Sequence, residues 1–208
     1  MDKQSIFNSE KTFISDVVGI VRKGRDSAYS AVNVSMLDTY WNIGRRIVLE
    51  EQGGEQRAEY GAQLLRTLSK ALTGEFGKGF SERNLRNFRL FYLIFSDMEI
   101  WHTRVPNLTW SHFRALLSVT DTKARDWYLA EASSENWSVR TLDRNIGSQY
   151  YYRLLQSQHK EPVVREMQQK TGEYQKDKHE FIKNPVVAEF LGLSSNIDFT
   201  ESNLESSI

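Results

Sequence analysis

From Ile14 to Ile47 an apolar side chain returns every few residues: Ile14, Val18, Val21, Ala28, Val32, Met36, Tyr40, Ile43 and Ile47. Steps of three and four match the turn of an α-helix, so these residues lie along one side of a rod many turns long. The spacing predicts one long amphipathic helix from about residue 9 to 52, or two in line with a break near Gly24. The glycine pair in "GGEQRAEYG" is expected to end it. Only three prolines, Pro106, Pro162 and Pro185, punctuate the 208 residues, so later helices also have room to run. No segment alternates apolar and polar residues as a half-buried strand would.

The rest of the chain reads as shorter helices with recognisable starts. Residues 58–76 carry Leu64, Leu65, Leu68, Ala71 and Leu72 at helical spacing. A "GKG" turn leads into the helix of "FSERNLRNFRLFYLIF". Thr109, Asp121 and Ser138 stand where side-chain oxygens would cap the helices of "WSHFRALLSV", "TKARDWYLAEASSE" and "VRTLDRNIGSQYYYRLL",. Asn184 and Pro185 are expected to open another short helix,. The fold class that follows is all-α, a multi-helix domain with helix-turn-helix-like elements and a long N-terminal helix. Its expected limits are residues 9–155. Residues 156–183 are mostly polar, either a helix with few contacts or a linker, and are read as a connector. Residues 184–208 read as the short helix and, in "SSNIDFTESNLESSI", the opening of a second domain.

Composition narrows the function classes. With 39% hydrophobic residues and no cysteine, a packed core is expected, whereas disulfides, thiol catalysis and cysteine-ligated zinc are excluded. Formal net charge is zero, so affinity for a polyanion has to come from local clusters of Lys and Arg. No apolar run has the length of a membrane span, and the first residues lack a signal-peptide core. A cytoplasmic protein without a membrane partner is the expectation.

One such cluster opens the helix after the "GKG" turn. Placed on a helical wheel, Leu85, Phe88, Tyr92 and Phe95 form the core stripe, with Arg83, Arg86 and Asn87 opposite. Leu90 and Ile94 continue that opposite face, so the second half of the helix is expected to be wrapped by neighbours. A polar, basic first half on a buried second half suits the recognition helix of a helix-turn-helix. Arg can pair with guanine and Asn with adenine, while Lys78 and Arg89 could reach phosphates. Ser-x-Arg-x-Leu recurs in "SVRTLDRNI", where Arg140, Arg144 and Tyr151 face away from Val139, Leu142, Ile146 and Tyr150. The DNA-contact candidates are therefore Lys78, Arg83, Arg86, Asn87, Arg89, Arg140 and Arg144. The competing reading is a basic solvated face with shared capping grammar.

Catalytic sets do not assemble. His102, His112, His159 and His179 lack metal-ligand spacing, and "HEFIK" is not a zinc motif,. Asp121-Thr122-Lys123 has the acidic-x-Lys spacing of some nucleases, but it falls at a helix start, where capping accounts for it. Glu50 and Glu51 read as a solvated helix end. No cofactor and no metal is expected.

The segments "YWNIGRRIVLEEQ", "YGAQLLRTLSKAL", "GFSERNLRNFRLFY", "LTWSHFRALLSV", "ARDWYLAEASSENWSVRTLDRNI" and "NPVVAEFLGL" resemble, in order, the N-terminal region of the YhcG-type bacterial proteins. Those proteins look like a helical domain joined to a PD-(D/E)XK nuclease domain. The resemblance implies a nuclease-associated module that contacts DNA in a bacterial cytoplasm, without the catalytic residues of the missing C-terminal nuclease domain. The alternative is a protein-interaction or dimerisation domain, using the stripe from Val32 to Ile47 to form a homodimer.

Overall fold

The computed structural model describes residues 3–53, 57–175, 187, 190 and 191. Among them every regular element is helical: α1 (Lys3–Gly53), α2 (Arg57–Phe76), α3 (Glu82–Ile94), α4 (Trp110–Leu116), α5 (Thr122–Ser134), α6 (Val139–Gly147), α7 (Tyr150–Gln156) and α8 (Lys160–Thr171). Short helical turns at Lys78–Phe80, Ile100–Arg104 and Gly172–Gln175 complete the path. The all-α fold class and the long N-terminal helix are as the sequence predicts.

α1 is one helix, not two. A Cβ at Gly24 would meet nothing within 4 Å, so no packing demand bends the rod there. A helical glycine costs only about 1 kcal/mol against alanine, too little to force a break. The apolar stripe divides in the middle. Met36, Tyr40 and Ile47 are buried, with Val32 and Ile43 half-buried against the same core. Ile14, Val18 and Val21, on the same stripe, are exposed.

The packed half of α1 lies against α3. Tyr40 stacks on Phe88 with ring centroids 4.2 Å apart, and Trp41 donates its indole N–H to the Phe95 carbonyl at 2.7 Å, closing the C-terminal end of α3. Gly44 sits where the helices touch: a Cβ there would lie 2.0 Å from the Phe88 carbonyl oxygen. Only hydrogen fits in that position. On α3 the buried set is Leu85, Phe88 and Phe91, followed by Phe95. Phe91 thus takes the place expected of Tyr92, which is half-buried against Trp41. The predicted wrapping of the second half is incomplete, because Leu93 is 48% exposed.

Capping residues set the remaining helices as expected. Ser81 accepts from Asn84 N, Asp121 from Lys123 N and Ala124 N, and Ser138 from Thr141 N. Thr109 forms a capping box with His112. The α5–α6 turn is a Schellman close: Asn136 takes φ 50°, and Trp137 N bonds back to Ala132 O at 2.9 Å,.

Three expectations need correcting. "VRTLDRNIGSQYYYRLL" is two helices, α6 and α7, because Gln149 adopts φ 54° between them. The Tyr128 hydroxyl holds that corner, donating to Asn145 O at 3.0 Å and accepting from Tyr151 N at 3.1 Å. Tyr151 does not face outward: it is half-buried against Trp127, with centroids 5.5 Å apart. Glu51 is no solvated end, for it holds Arg89 at 2.6 Å.

Of the two forms open for residues 156–183, the described part is helical. α8 lies on α7, with Val163 and Met167 against the core, and Glu166 binds both Arg153 and Lys170. Asn184, Pro185 and the segment 192–208 lie outside the described residues. Nearby, Val187 is buried and Phe190 meets the Tyr40 ring edge-on at 5.9 Å.

Candidate nucleic-acid interface

The start of α3 is built by a glycine that no other residue replaces easily. Gly77 has φ 95° and ψ −174°, a conformation in which a Cβ would clash with its own backbone. From there the turn Lys78–Phe80 delivers the chain to Ser81. Ser81 accepts from Asn84 N at 3.4 Å, and the Asn84 side chain donates to Gly79 O at 2.8 Å. Both bonds tie the turn to the helix. Leu85 and Phe88, fully buried, anchor the inner face, so the outer face is held at the surface by a rigid base.

On that outer face Lys78 and Arg83 are exposed, and neither makes an ion pair among the described residues. Arg86 reaches back one turn to Glu82 at 2.9 Å, with side-chain exposures of 58% and 35%. Arg66 of α2 approaches the same carboxylate at 3.9 Å. Exposed pairs of this kind are worth about 0.3–0.5 kcal/mol. A phosphate or a base edge can displace Glu82 from Arg86 at that cost. Asn87 is half-buried beside them.

Arg89 is different. Its guanidinium bonds Glu51 at 2.6 Å, and the carboxylate is only 19% exposed. Gly61 leaves the room this needs, since a Cβ there would come within 3.2 Å of the Glu51 carboxylate. This pair fastens α3 to the end of α1. Arg140, exposed, and Arg144, half-buried, lie on α6. α6 packs on α4, α5 and α7, whereas α3 packs on α1, α2 and α4. The two Ser-capped starts therefore belong to different parts of the fold, with α4 as their shared neighbour.

Arg66 is the residue that sequence reasoning missed. Its partner lies on the next helix, and only the angle between α2 and α3 brings them together. Asp121, by contrast, is accounted for by its local bonds. Besides capping α5 it accepts from the Tyr152 hydroxyl at 2.8 Å. That hydroxyl, then the capping N–H of Ala124, holds its carboxyl below the usual range. Among the described residues no group of three His, Asp or Glu side chains could hold a metal ion. No described helix is long and apolar enough to cross a membrane.

Comparison with known proteins places the chain in a family. Residues 16–153 match the family described as DUF1016 N-terminal domain. The chain is 37% identical over 221 aligned positions to a protein of Escherichia coli (strain K12) named "Putative nuclease YhcG". The alignment takes in 92% of this chain but 58% of that relative's length. No solved structure matches.

Proposed function

Since this chain belongs to the DUF1016 N-terminal domain family, we propose that it is the DNA-holding, non-catalytic part of a nuclease-type protein acting in the cytoplasm. The relative's name supplies the nuclease, and because this chain spans 58% of that relative's length, this reading assigns cleavage to the part not spanned. In this reading α2, the Gly77 turn and α3 act as a helix-turn-helix. Arg83, Arg86 and Asn87 meet base edges or grip the backbone, with Lys78 and Arg66 on flanking phosphates. Arg140 and Arg144 offer a second phosphate contact. Arg89 is left out of the contact set because Glu51 occupies it.

The observation that carries the reading is Arg83: exposed, unpaired among the described residues, and mounted on a helix whose inner face is fixed by Leu85 and Phe88. An arginine on a rigid base with no partner among the described residues presents its charge to an external anion.

Gel-shift titration of duplex DNA across a salt series tests this. Each phosphate contact should add about 0.9 to the log–log slope. Arg83→Ala should lower the slope by roughly that amount if the residue grips phosphate. If it reads a base, the variant should instead lose preference at one position. A variant unchanged in both slope and preference removes the α3 start from the interface.

A further inference from the structure

Residues 11–28 of α1 are all exposed, yet they are not a polar stalk. Phe13, Ile14, Val17, Val18, Ile20 and Val21 stand 40–70% exposed along it. Five of those six are β-branched, with Gly19 among them and Gly24 just beyond. Such a sequence makes a poor helix in isolation, because most helical stability comes from packing one face. A partner along that face would supply what the sequence lacks.

The pattern of side-chain sizes identifies the partner. Ile14, Val17, Val21, Gly24, Ala28 and Ala31 follow steps of three and four without a slip, the register of a two-helix seam. Along it the residues shrink from bulky to small. Laid parallel, two copies would set bulky against bulky at one end and leave a gap at the other. Laid antiparallel, Ile14 falls opposite Ala31, Val17 opposite Ala28 and Val21 opposite Gly24. Beside the seam, Ile20 falls opposite Ser27 and Phe13 opposite Val34. At the three levels of the seam itself large thus meets small, the arrangement that fills space without voids, while Val18 and Arg25 flank it on the other side.

A second observation agrees. The small-residue end of the seam borders an open groove of about 1000 Å³, with Ser27, Ala31, Val34 and Ser35 in its wall. Antiparallel pairing delivers Phe13 and Ile14 of the other copy to that place. Asp16, Arg22, Lys23 and Asp26 fall on the outer side of the helix, where they stay in water. The six bulky residues offer roughly 500–600 Å² per copy, near the lower end of the ~1,200–2,000 Å² buried in total by a specific interface.

We propose that residues 13–35 of α1 pair antiparallel with the same segment of a second copy, making the protein a homodimer. The inference is independent of the DNA reading and its test uses no DNA. Light scattering of the full chain over a concentration series should show twice the monomer mass, falling to the monomer mass in a Val17→Glu, Val21→Glu variant. The core should still fold and melt cooperatively in that variant, because Val17 and Val21 are exposed and do not reach it. Orientation follows from cross-linking, for the chain has no native cysteine. A mixture of Ile14→Cys and Ala31→Cys chains should cross-link, and Ile14→Cys alone should not. A monomer at every concentration, a dimer that survives the double substitution, or self-linking of Ile14→Cys alone would each overturn the proposal.

Discussion

Gly44→Ala isolates the contact that joins the long helix to the body of the protein. The added methyl would start 2.0 Å from the Phe88 carbonyl oxygen, 2.6 Å from its carbon and 3.1 Å from Tyr92 Cβ. A carbon approaches a carbonyl oxygen to about 3.3 Å at best, so α1 and α3 would have to part by roughly 1.3 Å. The obstacle is backbone and cannot rotate away. A gap of 0.5–1 Å already forfeits about a quarter to a half of each dispersion contact across it, and this one would open beneath the stacked rings of Tyr40 and Phe88. Overpacking of a core costs about 1–3 kcal/mol where side chains can yield. Here about 3 kcal/mol or more is expected, a fall in Tm of roughly 6–12 °C for a chain of this size. Gly19→Ala is the control, since its methyl would meet nothing within 4 Å and should leave the protein unchanged or up to about 1 kcal/mol more stable. Urea unfolding followed by far-UV circular dichroism measures both. Equal stability of Gly44→Ala and the parent would show that the helices do not cross at this residue.

Other perturbations probe separate parts of the fold. His112 is buried, accepts at Nδ1 from Thr109 N at 3.1 Å and donates from Nε2 to Trp137 O at 3.0 Å; burial lowers its pKa, partly opposed by the Trp137 carbonyl. The unfolded chain thus binds the proton first, so stability should fall as pH drops below about 6.5, until the folded protein also takes up the proton. Urea midpoints measured down that range should show a step that His112→Gln removes. Tyr128→Phe strands Asn145 O and Tyr151 N at the α6–α7 corner, a loss of about 2–3 kcal/mol, with hydrogen exchange in α7 accelerating before the rest. Glu82→Gln frees Arg86 and Arg66 from their shared carboxylate and should tighten DNA binding in the gel-shift assay; weaker binding would place Glu82 itself in recognition.

What can be read along the chain and what cannot separate at the level of the single helix. Thr109, Asp121 and Ser138 were legible because a cap is satisfied within three residues of itself,. The same locality made the acidic-x-Lys triplet readable as a helix start. The basic opening of α3 was legible as a pattern, but Glu51 binding Arg89 across 38 residues and Arg66 meeting Glu82 were not. The Gln149 corner escaped for a related reason: its left-handed turn is held by a tyrosine hydroxyl from another helix, and nothing local in "GSQYYY" announces it.

The sequence by itself determined that this protein is helical, where most helices begin, and that α1 carries an apolar face from Ile14 to Ile47. Tertiary structure alone decided what that face touches. From Val32 onward α3 and its neighbours cover it, while Ile14 to Val21 meet no part of the described core. Periodicity records that a surface is apolar, since that depends only on the helical repeat. Which body covers it depends on where distant segments come to rest, and a three-to-four spacing is the same whether the partner is the protein's own core or a second molecule.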